Sequence, residues 1–376
     1  MNRPTLIPGL PRIWRAPTEL QLGAGPARAV VLRLPDSRTA QLLDLLDGSR
    51  SLQSVLLQAA RQGIGRLAAR AVIESLENAG LAIPAASLVP LAFPGRARLM
   101  GEASALALQG SPAAAILRRR AGCRVVLAGR GRLGAALAVA LAEAGVGHVE
   151  PDLPGSVTPG ELPAGPLREA DVGNSRRAAI ADAVSRAAPG TQTGPVRRGA
   201  ATLIIQLDHA EPVPLLAAAH AQRRQPHLMV TIREGVPVIG PFVPAAGGPC
   251  LNCCDLHRRD RDAGWPGPSR SDELEPCAVP TLLAAAAYAT AEALTFLDGG
   301  TPETLGASAE IPTPGRLRRR TWTPHPACSC SRREVEVGWP ATPGADRADP
   351  NRSPPRPPAL PAAAPGRRRV ASTECE

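Results

Sequence analysis

The fold class of this chain is decided by one stretch of sequence, Arg124-Val125-Val126-Leu127-Ala128-Gly129-Arg130-Gly131-Arg132-Leu133-Gly134. A short apolar run, typical of a buried strand, leads directly into a Gly-x-Gly-x-x-Gly motif. A helix is predicted from about Ala135 to Ala144, and a second strand at His148-Val149-Glu150. The order strand, glycine motif, helix and strand is the context in which this motif binds nucleotide phosphates.

The three glycines of the motif, Gly129, Gly131 and Gly134, allow a tight turn and a close approach of the backbone to phosphates. The start of the helix adds unpaired N–H groups and the positive end of the helix dipole. Asp152 follows about 20 residues later, where an acidic side chain can bind ribose hydroxyls. An alternative stays open, in which the glycines serve only helix–strand packing. These residues alone do not separate ATP from an adenine dinucleotide.

The rest of the chain is organised around this unit. Strand and helix patterns alternate from Cys123 to about Gly300, which predicts an α/β fold with a Rossmann-like, mainly parallel sheet and helices on both faces. We assign residues 123–338 to this domain, preceded by a helical connector at 91–122. Residues 1–90 predict a small winged-helix α+β domain, because three short helical patterns lie between short strands. Residues 339–376 are rich in Pro, Ala and Arg without periodicity, which predicts a disordered tail.

The composition limits the chemistry and the partners. Lys and Arg together number 43, and all are arginine. The lack of lysine excludes Schiff-base chemistry and the Gly-Lys-Ser/Thr phosphate loop. The net charge of +10 permits a polyanionic partner, but the arginines are scattered and aromatic residues make up only 2% of the chain. We therefore expect no nucleic-acid partner, because side chains that stack on bases are nearly absent.

The sequence also predicts the compartment. Residues 1–11 lack the apolar segment of a signal peptide, and no stretch predicts a membrane span. We therefore expect a cytoplasmic protein with no membrane partner. Its eight cysteines should then stay reduced, which makes them candidate metal ligands rather than disulfide partners.

Four cysteines form two close pairs, Cys250-x-x-Cys253 and Cys328-x-Cys330. Two such pairs can close a tetrahedral zinc site, and a site with four thiolates is structural because it has no open position. Alternatives stay open: buried thiols, or a single redox-active C-x-x-C pair. Weaker candidate ligands lie beside the pairs at Cys254, His257 and His325.

These features together resemble the ThiF/MoeB/HesA proteins of the ubiquitin-activating superfamily. The resemblance covers about residues 98–331 and rests on an ordered set of motifs. They are Arg124–Gly134 with Ala144–Val149, Gly173–Arg176 with Ala188-Pro189, Leu203–Asp208, Gly240-Pro241 with Pro249–Cys253, and Cys328–Cys330.

The resemblance implies an ATP-dependent adenylyltransferase of the ubiquitin-like modifier activating type, homodimeric, with Mg²⁺ and a structural Zn²⁺. A carboxylate of a small carrier protein or precursor peptide would attack the α-phosphate of ATP, giving an acyl-adenylate and pyrophosphate. The glycines of the motif would line the phosphates, and Asp152 would hold the ribose. Arg176 would stand where the family has a phosphate-contacting lysine, and Asp208 would hold the magnesium.

The sequence departs from the family at three places, one of which is the arginine at 176 in place of a lysine. The segment 153–167 contains none of the asparagine, arginine and glutamine that the family carries after the ribose-binding aspartate, and Arg132 replaces a common glycine. A second interpretation therefore stays open, a catalytically degenerate relative that binds a leader peptide for a separate cyclodehydratase. Cys277 is a candidate thioester-forming residue by analogy with some relatives, although a small buried side chain is the simpler interpretation.

The winged-helix unit predicted at 1–90 resembles the PqqD-like peptide-recognition domains joined to ThiF-like modules in ribosomal-peptide cyclodehydratase systems. In those domains an extended leader peptide adds to a sheet edge beside a helix. Two alternatives are a unit used for dimer packing and a DNA-binding winged helix. The third helix, near 67–79, carries Glu74 and Glu77 beside Arg66 and Arg70, which argues against a surface that faces DNA.

Overall fold

The computed structural model describes residues 3–25, 29–90, 93, 95–197, 200–209, 211–267 and 275–330. The tail predicted at 339–376 lies outside these residues. The N-terminal part forms two small antiparallel sheets, a meander with the order β2-β3-β4 and a pair made by β1 and β5. These strands are β1 (Pro4–Leu6), β2 (Arg12–Ala16), β3 (Glu19–Leu22), β4 (Val30–Arg33) and β5 (Ala82–Pro84).

Three helices follow the meander, as predicted. They are a 3-10 helix (Ser37–Leu45), α1 (Leu52–Arg61) and α2 (Arg66–Asn78). Asp36 and Ser51 cap the first two, because their side chains accept hydrogen bonds from backbone N–H groups of the first turn. Gly80 follows α2 with a φ of +69°, the left-handed conformation expected after a helix end. Leucine and valine side chains of the sheet and the helices bury one another, so this region has its own core.

A short helix, α3 (Ala85–Leu88), precedes the helical connector predicted at 91–122, which contains α4 (Met100–Leu108) and α5 (Ala113–Gly122). A buried arginine, Arg120, fixes it to the larger domain. Arg120 lies 2.6 Å from Glu102 on α4 and 2.7 Å from Asp298, and it donates a hydrogen bond to the carbonyl of Ala144. A buried guanidinium is stable only when it is paired in this way, so the connector has a defined orientation.

The larger domain is built on a seven-stranded sheet with the order β12-β11-β10-β9-β8-β6-β7. Its strands are β6 (Arg124–Ala128), β7 (His148–Asp152), β8 (Leu203–Gln206), β9 (His227–Arg233), β10 (Val236–Val243), β11 (Ala307–Thr313) and β12 (Arg316–Thr321). Strands β7, β6, β8 and β9 are parallel, and the last three strands extend the sheet in antiparallel pairs. The predicted Rossmann-like sheet is therefore confirmed, with an antiparallel extension on one side.

Helices cover both faces of this sheet, as predicted. They are α6 (Leu133–Glu143), α7 (Arg176–Ala187), α8 (Val213–Gln222), α9 (Leu251–Arg261) and α10 (Val279–Leu297). Along β9, Leu228 and Val230 pack into the core cluster that contains α6, α7 and α10. Met229 between them packs with α8 and α9 instead. Successive strand residues point to opposite faces, so the two clusters mark the two helical layers.

Helix α10 has the length and apolar composition of a membrane span, and it is the one such helix in the described part of the chain. Its buried side chains, among them Leu282, Ala285 and Ala289, belong to the core cluster under the sheet. Burial against α6 and the strands explains this composition.

Candidate functional site

The strand order of the sheet reverses at β6. The chain passes from β6 to β7 on one side and later returns to β8 on the other side of β6. Such a reversal opens a crevice at the carboxyl ends of parallel strands, where ligands bind. The glycine motif follows β6 there, and Asp208 follows β8. The backbone N–H of Arg130 donates to the carbonyl of Asp208 at 2.8 Å, so the two segments meet in the crevice.

Each glycine of the motif has a structural reason of its own. A Cβ atom at Gly129 would lie 2.3 Å from the carbonyl oxygen of Asp208, and one at Gly134 would lie 2.5 Å from a methyl group of Leu153. Gly131 has a φ of +145°, which residues with a side chain rarely adopt. Packing and backbone conformation thus require the three glycines.

Asp208 is half-buried in this crevice. Burial raises the pKa of its carboxyl group, although the backbone N–H of His209 and the charges of Arg233 and Arg130 act in the opposite direction. The raised pKa means that the nearby cations do not fully offset the cost of burying the charge. A divalent cation bound here would supply the missing positive charge, which fits the magnesium role that the resemblance implies.

Asp152 ends β7 directly beside Ala128, the last residue of β6. Its side chain is 53% exposed, and Arg177 lies 3.8 Å away. The carboxylate is therefore accessible next to the start of the glycine motif, where the sequence pattern predicts a ribose-binding group.

Arg176, the predicted phosphate-contacting residue, is engaged by the protein itself. Its Nε and Nη2 atoms donate to the two carboxylate oxygens of Glu161 at 2.7 and 2.9 Å, and it also donates to the carbonyls of Pro154 and Ser156. Burial alone would raise the pKa of Glu161, but hydrogen bonds from Arg176 and Thr158 bring it below its usual value. A phosphate would have to compete with this ion pair for the guanidinium.

Two acidic residues of this region were not among the predicted site residues. Glu161 forms a capping box with Thr158, a local signal that the sequence does contain. Glu275 has no such signal. Its carboxylate accepts a hydrogen bond at 2.8 Å from the backbone N–H of Arg132, in the middle of the glycine motif and far away in sequence. Only the fold brings these two segments together.

The four predicted cysteine ligands lie together between α9 and residues 328–330. The Sγ atom of Cys250 lies 3.8 Å from that of Cys253 and 3.6 Å from that of Cys328, and the Sγ atoms of Cys253 and Cys330 are 3.2 Å apart. Sulfur atoms bound to one tetrahedral zinc are about 3.8 Å apart. The hydrogen bond between the two thiols lowers the pKa of Cys253 and raises that of Cys250. The cluster therefore fits a zinc ion.

The weaker candidate ligands lie outside this cluster. Cys254 is buried, and desolvation raises the pKa of its thiol to about 12. His325 faces Asp260, with Nε2 and Oδ2 2.8 Å apart, while the backbone N–H of Ala327 donates to its Nδ1. The proton of the neutral ring must then be on Nε2. His325 is thus a hydrogen-bond donor that anchors α9, and it groups with His257 and Asp260, apart from the four thiols.

Cys277 precedes α10 and is half-buried. Burial raises the pKa of its thiol. Reactive cysteines have a lowered pKa from a nearby base, a cation or a helix N-terminus. The surroundings of Cys277 therefore favour the simpler interpretation of a packed side chain.

The N-terminal region contains a groove of about 710 Å³ between β4 and α2. Within the described residues β4 pairs with β3 alone, so its other edge faces no strand. Its lining combines apolar and charged side chains. The lining residues are Arg15, Glu19, Val30, Val31, Leu32, Arg33, Pro35, Ala68, Ala71, Val72 and Ser75. An unpaired strand edge beside a groove is the arrangement to which an extended peptide can add.

No protein-family model matches the sequence, and no curated protein matches it either. Solved structures are similar in fold. The Microcin C7 biosynthetic enzyme MccB in complex with N-formylated MccA matches 87% of this chain and 99% of its own, with a TM-score of 0.55 and 14% identity. E. coli MccB with ATP also matches 87% of this chain and 99% of its own, with a TM-score of 0.54 and 15% identity. PaaA matches 84% of this chain and 98% of its own, with a TM-score of 0.56 and 16% identity. These likenesses concern the fold alone, and by them the chain shares the fold of MccB and PaaA.

Proposed function

We propose that this chain is an ATP-dependent, ThiF-like adenylyltransferase that activates a carboxylate of a peptide or small carrier protein. The observation that carries the proposal is the meeting of the glycine motif and Asp208 at the strand-order reversal, beside the start of α6. Backbone N–H groups at a helix start bind phosphates well, and a carboxylate close by can bind the accompanying cation.

In this proposal the protein positions ATP and offsets its charge. Gly129, Gly131 and Gly134 let the backbone approach the phosphates, and Asp152 binds the ribose. Asp208 holds Mg²⁺, which neutralises phosphate oxygens when it is bound. The substrate carboxylate attacks the α-phosphate, a new acyl-phosphate bond forms, and pyrophosphate leaves.

The groove beside β4 supports a peptide as the substrate. A peptide strand can pair with the free edge of β4 while alternate side chains enter the groove. The PqqD-like unit proposed at 1–90 would then recognise a leader segment and deliver the peptide to the glycine motif. MccB, which shares the fold, was crystallised with MccA and with ATP, and this supports the same pair of ligands here.

We further propose that the four-thiol cluster holds a structural Zn²⁺. Because all four positions would be thiolates, the ion has no open site for a substrate and acts by joining α9 to residues 328–330. A cytoplasmic location, where thiols stay reduced, belongs to the same proposal. A homodimer follows from the family resemblance alone.

One observation favours a second candidate function. The guanidinium of Arg176 is paired with Glu161, and the segment 153–167 supplies no Asn, Arg or Gln in its place. In this second candidate the chain has lost adenylation and presents a leader peptide to a separate cyclodehydratase.

ATP–pyrophosphate exchange with peptides encoded beside the gene separates the two candidates. For the enzyme we expect exchange that depends on a peptide, and Asp208→Asn should lower its rate by about 100-fold or more because a magnesium ligand is lost. Asp182→Asn, an exposed change on α7, is the matched control and should leave the rate unchanged. Absence of exchange with every peptide, while a peptide still binds the protein, would support the second candidate.

A further inference from the structure

An internal carboxylate lies on the glycine motif. The Oε2 atom of Glu275 accepts a hydrogen bond from the backbone N–H of Arg132 at 2.8 Å. Both carboxylate oxygens lie 3.5 Å from the position that a Cβ atom would take at Gly131. The negative charge of Glu275 is therefore placed over the centre of the motif, where the proposed function requires the phosphates of ATP.

The start of α6 attracts an anion for a general reason. The first N–H groups of a helix have no partners within the helix, and the helix dipole makes this end positive. Arg132 is the N-cap residue of α6 and makes no side-chain capping hydrogen bond. Glu275 supplies that cap from a distant part of the chain. A phosphate oxygen would use the same N–H group, so the two anions exclude each other.

The depression beside this contact is shallow. It is lined by Arg130, Leu133, Leu207, Val230, Ile232 and Glu275, with their neighbours, and it is too narrow to hold a water molecule next to the carboxylate. A phosphate at the start of α6 would therefore meet the carboxylate of Glu275.

Arg132 holds the segment that carries Glu275. Its Nη1 atom donates to the carbonyl of Glu275 at 2.9 Å and to that of Cys277 at 3.3 Å. Its Nε atom is buried without a hydrogen-bond partner among the described residues. An unsatisfied buried donor of a guanidinium costs free energy, and a phosphate oxygen could satisfy it. The contact with the segment of Glu275 therefore leaves one buried donor of Arg132 unsatisfied.

The surroundings of Glu275 also disfavour its negatively charged form. Burial raises the pKa of Glu275, and the negative charges of Asp208 and Glu161 raise it further, against the N–H group and charge of Arg132. A carboxylate in such surroundings is held less firmly than one with a full counter-charge. A magnesium ion at Asp208 would reduce the repulsion between Asp208 and Glu275. The phosphates of ATP would add a new repulsion, because their negative charge would lie next to Glu275.

We infer that Glu275 occupies the phosphate subsite of the glycine motif, so that ATP binds only by displacing it. The inference rests on the proposed nucleotide function and adds an autoinhibitory contact to it. Displacement would also release the carbonyl contacts of Arg132 with residues 275–277, just before α10. ATP binding is thereby coupled to a rearrangement of the segment that contains Cys277.

Calorimetric titration with ATP and Mg²⁺ tests the inference on the full chain. Glu275→Gln keeps an oxygen acceptor and removes the charge, whereas Glu275→Ala removes both. We expect the affinity for ATP to rise by about tenfold in the first variant and further in the second, an effect of about 1.4 kcal/mol per tenfold change. Glu143→Gln, which removes an exposed charge at the opposite end of α6, is the matched control and should bind as the wild type does.

The outcomes separate the inference from the proposed function. Equal ATP affinity in the wild type and both Glu275 variants would overturn the inference and leave nucleotide binding intact. Weaker binding in the variants would also overturn it, because Glu275 would then assist the nucleotide. If ATP binds to none of the proteins, although their melting temperatures match, the proposed nucleotide function fails and the inference fails with it.

Discussion

Arg176 and Glu161 form a two-pronged ion pair that closes the segment after β7 onto the start of α7. The pair is nearly buried, with side chains 13% and 11% exposed. The same guanidinium donates to two backbone carbonyls of the segment, so one side chain fixes its whole course. The family resemblance implies that this arginine contacts phosphate. The structure instead gives it a structural partner, which a nucleotide-bound state would have to break or share.

The first prediction concerns the stability of this pair. Glu161→Gln should lower the free energy of unfolding by roughly 3 kcal/mol, because it leaves the guanidinium of Arg176 nearly buried without a counter-charge. Urea denaturation measures the effect. The double variant Glu161→Gln/Arg176→Met should lose clearly less than the sum of the two single variants, since both remove the same interaction.

An exposed ion pair provides the control for that experiment. Arg70 and Glu74 on α2 are 3.0 Å apart, with side chains 62% and 57% exposed. Glu74→Gln should change the stability little, because exposed pairs are screened by solvent. If the double variant lost as much free energy of unfolding as the two single variants together, the side chains at positions 161 and 176 would act independently. That result would contradict the prediction.

The strands around the glycine motif could be predicted because their signal is local. At β6, β7 and β8, apolar runs end in glycines or acidic residues. Such a pattern predicts buried parallel strands. Strand β12 could not be predicted in this way. All six of its residues are exposed and four are arginine, so it lacks the alternation that marks a half-buried strand. Its charges suit an edge strand that must avoid pairing with other chains.

In the site, too, some residues could be predicted from the sequence and others could not. The four cysteines could be predicted from their spacing, because metal ligands must converge on one point. The contact between Glu275 and Arg132 joins residues 143 positions apart and follows from no periodic pattern. Likewise, the sequence places Arg176 at a family position but does not show that Glu161 engages it. Contacts of this kind depend on the packed fold.

The second prediction concerns the thiol cluster. The purified protein should contain about one zinc per chain, and Cys250→Ser should lower both the zinc content and the melting temperature, because the metal stabilises the folded state that binds it. Elemental analysis and thermal unfolding measure the two effects. Cys277→Ser removes a half-buried thiol outside the cluster and should keep the full zinc content. Stoichiometric zinc in a variant that lacks all four clustered thiols would contradict the assignment.

The third prediction follows from two stacked histidines between α8 and β9. The rings of His220 and His227 are 4.1 Å apart, and both are buried. Desolvation is the main cause that lowers the pKa of His220 to about 4 and that of His227 to about 3. The unfolded chain binds these protons near pH 6.5, whereas the folded chain stays unprotonated until about pH 4. The contribution of the two neutral histidines to the free energy of unfolding is therefore fully present above pH 6.5. It is lost progressively as the pH decreases from 6.5 toward 4.

Urea denaturation between pH 7 and 4 measures this loss. Each histidine contributes a slope of up to about 1.4 kcal/mol per pH unit, so His220→Leu should make the decrease clearly shallower. Met229→Leu, a change in the same strand two residues after His227, removes no titrating group and is the control. An unchanged slope in the His220 variant would show that the pair does not cause the acid sensitivity.

The fourth prediction tests the groove between β4 and α2. Ala71→Arg places a long charged side chain in the groove and should weaken binding of a labelled precursor peptide by at least about tenfold, because such grooves are specific for the side chains that enter them. Leu57→Arg adds the same charge at an exposed position on α1, outside the groove, and should leave the affinity unchanged. Fluorescence anisotropy gives both affinities, and sedimentation of the same samples gives the oligomeric state. If Ala71→Arg separates a dimer into monomers without any loss of peptide affinity, the groove is a packing surface between subunits, and peptide recognition must lie elsewhere.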